Sequence, residues 1–495
     1  MFHDYESKTF EFCSFWKTEK RLRDSNSQTS AILTYDVENQ TTRPRDAKCQ
    51  TETFSQLMKS NFTQQDENID QEKLAKFLSN VEEVVSKQLK INISCNHLYP
   101  GSVKHRNAND KSIVCEHVLD EEGVRQEKDN INKEVTCISW SGSGASIAVG
   151  FGTNENISWS ENKSFVCSWN LDRPKLNPHK CDHKLEVESS VQAVAFHPTL
   201  AQYIAVGLFS GVVLVWNIVK DDVIYGESPH EDPVTSLLWF EHQNSNHRYL
   251  RLVSGSTDGK LISWRIRKDK DSNLMKIDQT KKINSKNLPR RAGVKGQTAI
   301  GITCLDSPIH DSPLPSSGTA VVGCENGSVI KCSLEGMESN PVTFVYDNHV
   351  GPVYSIQWSK FHRNLFITCA MDQLCRIYHA LQTNPLREIR IGGSVSNHIY
   401  SACWSTTRPC MAYVTSGNDI EVWDVTTPSL ILATKLGKPP VTSMRMNPSR
   451  PSIATGCSNG VVQILKLGSC LVHADDVIKE ETMALYDITK ETINE

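Results

Sequence analysis

The feature that most constrains this chain is an internal repeat that begins at residue 135 and occupies about two thirds of the sequence. Each unit contains an alternating segment ending in a large apolar residue, then a segment of small and β-branched residues, then a turn and a third apolar segment. Seven units are present, and their first segments are Val135–Trp140, Val191–Phe196, Val234–Trp239, Ile300–Leu305, Val353–Trp358, Ile399–Trp404 and Val441–Met446. The third segments end at Trp169, Trp216, Trp264, Cys332, Tyr378, Trp423 and Leu465.

The spacing of these units predicts the fold. The ends of the third segments are 42 to 48 residues apart, with one longer interval of 68 residues. A four-stranded propeller blade has a period of about 40–45 residues. Turns such as Asp258-Gly259 and Asn459-Gly460 supply the positive φ angles of tight hairpins. The sequence therefore predicts an all-β fold, a seven-bladed propeller over residues 134–468, in which closure of the ring leaves no long free strand edge.

The units resemble the WD-repeat family. Trp423-Asp424 is an intact Trp-Asp pair at the end of a third segment, and two other third segments end in Trp-Asn. His349 lies four residues before Val353, although the Gly-His pair of the family is not present there. The resemblance implies a WD-repeat β-propeller.

The residues before the propeller divide into three parts. Residues 1–69 are polar and show little periodicity, so we expect them to be disordered on their own. Residues 70–92 predict one amphipathic helix, which either docks onto a partner or packs back on the propeller. Residues 93–133 predict a linker. The apolar stripe of the helix consists of Leu74, Phe77, Leu78, Val81, Val84, Val85 and Leu89.

Residues 469–495 follow the propeller and predict a short helical extension. The sequence leaves two positions open for it, a cap on the propeller or a contact with a partner. Its apolar side chains stand among several acidic ones and are Val472, Val477, Ile478, Met483, Leu485, Tyr486 and Ile488.

Composition narrows the class of protein. The chain carries 16 cysteines without a Cys-x-x-Cys pair and has no apolar leader after Met1, so we expect a reducing, intracellular compartment. Its apolar runs are far shorter than the ~18 residues that span a bilayer. A net charge of −4 over 495 residues lacks the basic footprint of a dedicated nucleic-acid binder.

The sequence lacks the common catalytic motifs. The sequence contains no phosphate-binding Gly-x-x-x-x-Gly-Lys loop, no His-Glu-x-x-His and no Gly-x-Ser-x-Gly. His179, Cys181 and His183 form one compact set of potential metal ligands, but the only further donor close by is Asp182. We therefore expect an exposed loop there, and predict no catalytic residues, no metal and no cofactor.

The interval of 68 residues contains a basic segment, residues 265–295, with eleven Lys or Arg and three Asp. The segment predicts a loop that is either a solvated insertion or a contact for an acidic partner surface. The side chains proposed for that contact are Lys281, Lys282, Arg290 and Arg291.

Three Gln-Thr dipeptides lie in the polar N-terminal part. A flexible segment with β-capable threonines can add a strand to the sheet edge of a partner, and several sites on one chain raise the effective concentration. The residues concerned are Ser27, Gln28, Thr29, Gln40, Thr41, Cys49, Gln50 and Thr51.

The order of these elements resembles dynein intermediate chains. In that family a disordered N-terminus binds a small dimeric light chain through peptides with a Thr-Gln-Thr core, and a helix before the propeller binds a roadblock-type light chain. Lys48-Cys49-Gln50-Thr51 resembles such a core with Cys in place of the first Thr. Residues 1–40 contain no heptad run, so the chain is more similar to the dynein-2 type, the ciliary retrograde motor.

The resemblance implies a non-catalytic motor subunit. Its propeller would bind a heavy-chain tail, its light chains would hold two intermediate chains together, and it would act in retrograde intraflagellar transport and cilium assembly. The implied locations are the cytoplasm, the cytoskeleton, the cilium and the ciliary base. Two alternatives stay open at this point: a generic WD-repeat scaffold such as a ubiquitin-ligase adaptor, and an axonemal dynein intermediate chain.

Overall fold

A computed structural model describes most of the second half of the chain and parts of the first. The residues described are 112–121, 133–153, 163–244, 247–266, 274–288, 299–308, 318–335, 340–391, 399–437, 439–472 and 475–491, together with eight positions between 76 and 87. The chain divides into two compact units, Met1–Lys104 and His105–Glu495. Among the described residues, no helix is long and apolar enough to cross a bilayer.

The second unit is built almost entirely from strands, numbered here in chain order. The first fourteen are β1 (Ile113–Leu119), β2 (Glu134–Trp140), β3 (Ser146–Gly152), β4 (Ser164–Asn170), β5 (His183–Val187), β6 (Val191–Phe196), β7 (Tyr203–Leu208), β8 (Val213–Asn217), β9 (Asp222–Gly226), β10 (Val234–Asn244), β11 (His247–Ser256), β12 (Lys260–Arg265), β13 (Leu274–Lys282) and β14 (Ile302–Asp306). The others are β15 (Thr319–Cys324), β16 (Val329–Ser333), β17 (Val342–Val345), β18 (Val353–Trp358), β19 (Leu365–Ala370), β20 (Leu374–His379), β21 (Pro385–Arg390), β22 (Ala402–Trp404), β23 (Met411–Ser416), β24 (Asp419–Asp424), β25 (Ser429–Lys435), β26 (Val441–Met446), β27 (Ser452–Cys457) and β28 (Val462–Leu467).

Burial along the strands explains their composition. Second strands such as β3 and β7 are buried over almost their whole length, which suits their small and β-branched side chains. Outer strands such as β25 are largely exposed and carry mixed side chains. The tryptophans near the ends of β4, β8 and β12, which are Trp169, Trp216 and Trp264, are fully buried. Each strand of a sheet therefore has its own composition, and this is the repeat visible in the sequence.

Within the described residues the strands form five sheets of four strands and one sheet of eight. The four-stranded sheets are β2 to β5, β14 to β17, β18 to β21, β22 to β25, and β26 to β28 with β1. The eight-stranded sheet contains two antiparallel runs, β6 to β9 and β10 to β13, joined by a short parallel pairing of Leu274 with Tyr225 and Met275 with Gly226. The all-β, propeller-like architecture predicted from the repeat is confirmed.

The first strand of each group packs against the first strand of the next, from β2 through β6, β10, β14, β18, β22 and β26 back to β2. Hydroxyl groups bridge several of these neighbours. Thr136 Oγ1 donates to the carbonyl oxygen of Val191 at 2.7 Å, and Thr442 Oγ1 donates to that of Val135 at 2.5 Å. Because Thr442 and Val135 come from the two ends of the repeat, the second bond helps to close the circuit.

The closing strand comes from a part of the sequence that was predicted to be a linker. Within residues 93–133, Ile113–Leu119 form β1, which pairs antiparallel with β28. The linker expectation is corrected here. The last repeat unit supplies only three strands, so its outer strand has an unpaired edge that β1 covers.

The C-terminal extension forms a helix, Asp475–Glu491. Leu485 and Ile488 are buried in the core between the sheets β18 to β21 and β22 to β25. Glu481 forms an ion pair with Arg408, which lies between β22 and β23. The helix therefore packs on the propeller, which decides between the two positions that the sequence left open.

Candidate binding surfaces

A buried hydrogen-bond network fixes one of the turns between second and third strands. His230 Nδ1 lies 3.1 Å from a carboxylate oxygen of Asp258, and His230 Nε2 lies 2.7 Å from the hydroxyl of Ser254. The same hydroxyl accepts a hydrogen bond from Trp264 Nε1 at 2.8 Å. Four side chains from two strands, the turn between them and the loop before β10 are thereby locked together, which makes the loops at this end of the sheet rigid.

A second network repeats this arrangement in the sheet β18 to β21. His349 Nδ1 lies 3.0 Å from Asp372, and His349 Nε2 lies 2.7 Å from the hydroxyl of Thr368. His349 could be picked out from the sequence beside Val353, whereas His230 was not predicted. A signal was available, because each histidine stands four residues before the valine that starts a first strand, Val353 or Val234.

The electrostatics of the two networks are alike. Burial alone would raise the pKa of Asp258, but the hydrogen bonds from His230 and from backbone N–H groups outweigh burial, so the pKa lies below its ordinary value. The pKa of Asp372 is lowered in the same way by His349. Both carboxylates are therefore ionised at neutral pH and serve as structural acceptors.

An apolar surface lies next to the His349 network. Val350 and Met371 are 80% and 56% exposed, and the N–H of Met371 donates to the carbonyl oxygen of Pro352 at 3.0 Å, which brings the two loops together. Tyr354 in β18 and Tyr400, two residues before β22, are partly exposed, with ring centroids 5.9 Å apart. We call Val350, Tyr354, Met371 and Tyr400 the tyrosine patch. Exposed aromatic and methionine side chains in one cluster are typical of protein-binding surfaces.

The predicted docking helix is described at only some of its positions, and these are helical. Phe77 is 61% exposed and Val85 is 47% exposed, and Val81 lies between them at the same helical spacing of four residues. These three side chains form one stripe. The other predicted members, Leu74, Leu78, Val84 and Leu89, lie outside the described residues.

The Gln-Thr peptides also lie outside the described residues. This applies to every position predicted to add a strand to a light chain, namely Ser27, Gln28, Thr29, Gln40, Thr41, Cys49, Gln50 and Thr51.

The basic segment is not a free loop where it is described. Lys281 and Lys282 belong to β13, which pairs with β12, so the expectation of a loop is corrected for these two residues. Lys281 is buried, and its ammonium donates to the carbonyl oxygens of Ser333 and Glu335 at 2.9 and 2.8 Å. Lys282 is exposed. Arg290 and Arg291 lie outside the described residues.

Acidic and basic side chains are matched within this sheet. Asp278 in β13 forms ion pairs with Arg251 and with Arg265, so part of the basic charge is neutralised by the protein itself. The basic segment therefore contains a strand, β13, whose Asp278 pairs with nearby arginines, whereas the sequence showed only an excess of basic residues.

The potential metal ligands seen in the sequence do not come together. His179 and His183 are exposed, whereas Cys181 is buried. The carboxylate of Asp182 accepts the N–H of Asn170 at 2.7 Å and pairs with Arg173. The His-Cys-His set is therefore not a site in this structure.

Comparison with known protein families identifies the type of repeat in this chain. The family described as WD domain, G-beta repeat matches residues 340–379, the segment that contains β17 to β20 and the His349 network. The chain is thus a WD-repeat protein with a propeller-like fold.

More extended similarity identifies the family. The chain is 30% identical to mouse cytoplasmic dynein 2 intermediate chain 2 over 93% of its length and 88% of the relative, and 29% identical to the human protein over 80% and 76%. It is 31% identical to dynein axonemal intermediate chain 4 of Xenopus laevis, over 59% of its length and 39% of the relative. The chain belongs to the WD-repeat dynein intermediate chains and resembles their dynein-2 members, as the order of its elements predicted.

Proposed function

We propose that this chain is a non-catalytic intermediate chain of a dynein-2-type motor and acts in retrograde intraflagellar transport and cilium assembly. The similarity to cytoplasmic dynein 2 intermediate chains over most of both chains supports this proposal most strongly. Under this proposal the chain works at the cilium, the ciliary base and the cytoskeleton. It joins a force-producing heavy chain to light chains.

The proposal assigns a task to each part of the chain. Residues 1–69 bind light chains, residues 70–92 dock a second light chain, and residues 134–468 form the propeller. We count the eight-stranded sheet as two blades, because β6 to β9 and β10 to β13 each repeat the order of the other sheets. This count gives seven blades, with β1 as an added strand in the last. Residues 469–495 brace the propeller through the buried Leu485.

We place the heavy-chain contact at the tyrosine patch. Its exposed side chains are held by a rigid network next to them, so a partner would lose little conformational entropy on binding there. A heavy-chain segment with apolar side chains would match it.

The test is co-expression of the full chain with a dynein-2 heavy-chain tail, followed by affinity capture. Met371→Asp should reduce the captured heavy chain at least tenfold, a cost of about 1.4 kcal/mol or more. Leu381→Asp is the matched control, because Leu381 is also exposed and lies at the turn before β21. Equal capture by both variants would remove the patch from the proposal.

We propose that the stripe containing Phe77, Val81 and Val85 binds a roadblock-type light chain. The exposure of Phe77 and Val85 supports this assignment, since an amphipathic helix gains most stability when its apolar face is covered. Phe77→Asp should abolish co-purification of that light chain. Ser79→Asp, two residues away and near the opposite side of the helix, should leave it intact.

We propose that Gln50 and Gln28 mark two strand-addition peptides for the small dimeric light chain, with Gln40 as a third. Two peptides on one chain would bind a dimeric receptor cooperatively. Replacing Gln50 and Gln28 together should therefore reduce light-chain binding more than the product of the single effects. Purely multiplicative losses would contradict paired use of the sites.

Capture from ciliated cells followed by mass spectrometry distinguishes the proposal from its alternatives. A dynein-2 heavy chain recovered with residues 105–495, which include β1, supports it. Recovery of an axonemal heavy chain would indicate an axonemal dynein intermediate chain instead. Recovery of ubiquitin-ligase components without a heavy chain would indicate a WD-repeat scaffold.

A further inference from the structure

Three buried side chains of metal-binding type meet beside the closing strand. Glu121 follows β1, Cys167 lies in β4, and Cys181 lies just before β5. One ligand atom of each, the carboxylate oxygen or the sulfur, lies within 4.8 Å of the other two. All three residues are buried. The two cysteines lie in and beside the sheet β2 to β5, and the glutamate lies just after the strand that completes the neighbouring sheet.

Glu121 is buried, although glutamate side chains are mostly exposed in folded proteins. Its Oε2 accepts the N–H of Cys181 at 2.6 Å. Within the described part of the chain, Glu121 forms no ion pair with Lys, Arg or His. A buried carboxylate without a cationic partner is costly, and a bound cation is one way in which proteins compensate such a charge.

Lys184 lies in β5, three residues after Cys181, and forms no ion pair with Glu121 in the described part of the chain. Lys184 lies over the ring of Phe165, with its ammonium 3.9 Å from the ring centroid. The ammonium is thus engaged with an aromatic face, and a bound cation is left as the counter-charge for the buried Glu121 carboxylate.

We propose that Glu121, Cys167 and Cys181 bind one Zn²⁺ ion. Two thiolates and a carboxylate suit zinc, whereas magnesium and calcium favour oxygen ligands alone. A water molecule completes the tetrahedron. On binding, the two S–H bonds give way to Zn–S bonds and the two protons pass to solvent.

The site would have a structural purpose. β1 pairs with β28, while the N–H of Asp120 donates at 2.8 Å to the carbonyl oxygen of Pro178, which lies in the connection between β4 and β5 of the adjacent sheet. An ion held by Glu121 and the two cysteines would cross-link the closing strand to that sheet. The ion would add a link to the packing of β26 on β2 and the Thr442–Val135 hydrogen bond that already close the ring.

The first test measures zinc in the full chain purified with its light chains from zinc-supplemented cells and then desalted. We expect about one zinc per chain, and below about 0.1 in Cys181→Ser, because zinc held by two ligands exchanges readily. Cys457→Ser is the matched control, since Cys457 is also buried but lies in β27. Less than about 0.1 zinc in the unaltered chain, or full zinc in Cys181→Ser, would overturn the proposal.

A second measurement does not depend on how well a variant folds. The unaltered protein is stripped with a chelator and titrated with Co²⁺, and thiolate ligation should produce a charge-transfer absorption in the near ultraviolet that zinc abolishes. Its absence would overturn the proposal. So would a Cys167–Cys181 disulfide, detected as the loss of two free thiols in the denatured, unreduced protein.

Discussion

His197 provides a sharp test of how a turn in this propeller depends on pH. The side chain is fully buried at the end of β6, and its Nδ1 accepts the N–H of Leu200 at 2.9 Å. Its ring meets Trp239 edge-on, with centroids 4.7 Å apart. Protonation of Nδ1 would replace this acceptor by a donor. The folded protein therefore keeps the imidazole neutral.

The structure gives the size and the sign of the effect. Burial lowers the pKa of His197 to about 4, against 6.5 for an ordinary histidine. Between these values the unfolded chain binds more protons than the folded one, so the free energy of unfolding falls as the pH falls. A difference of about 2.5 units corresponds to roughly 3 kcal/mol, fully present above pH 6.5 and lost by about pH 4.

The variant His197→Asn isolates this contribution. Asn447 occupies the corresponding turn after β26, where its Oδ1 accepts the N–H groups of Ser449 and Arg450, both at 3.0 Å. An asparagine can therefore keep the turn without titrating. His183→Asn is the control, because His183 is exposed.

The assay is urea unfolding at several pH values between 4.5 and 7.5, followed by tryptophan fluorescence. The unaltered protein should lose about 2 kcal/mol more stability across this range than His197→Asn does, whereas His183→Asn should behave like the unaltered protein. Burial also lowers the pKa of other histidines, such as His362, to about 4. Their effect on stability is the same in the unaltered protein and in both variants. Parallel curves for His197→Asn and the unaltered protein would refute the reasoning.

Three further changes test other parts of the fold by the same unfolding measurement. Asp258→Ala removes the acceptor of His230 and should cost about 2–4 kcal/mol; a loss below about 0.5 kcal/mol would contradict a structural role for the network. Leu485→Ala should cost about 2–5 kcal/mol because the side chain is fully buried, whereas the exposed Met483→Ala should change little. Lys281→Met leaves two carbonyl oxygens without their donor and should cost about 1–3 kcal/mol, whereas Lys282→Met should be nearly neutral.

Much of the propeller could be predicted because its strands are defined locally. The alternation in a segment such as Val191–Phe196 and the Asp258-Gly259 turn each report a conformation that neighbouring residues impose. The structure places strands at all seven predicted first segments. Family resemblance could be extended to the light-chain peptides and the docking helix, and there it stays a prediction.

Other features could not be predicted because distant parts of the chain decide them. Lys281 is a basic residue in a basic run, and only the approach of the carbonyl oxygens of Ser333 and Glu335 turns it into an internal donor. The pairing of Cys181 with Cys167 and Glu121, instead of with the nearby histidines, depends on which face of the segment before β5 is covered.

The sequence by itself determined the repeat, the order of the strands within each unit, and membership of the dynein intermediate chains. The tertiary structure decided how the circuit closes. Ile113–Leu119 lie in the segment predicted to be a linker, and they form a strand because the last unit leaves the edge of β28 unpaired. Hydrogen-bonding capacity at an open sheet edge is satisfied by whatever segment the chain can bring to it, and that choice is not encoded in local propensity.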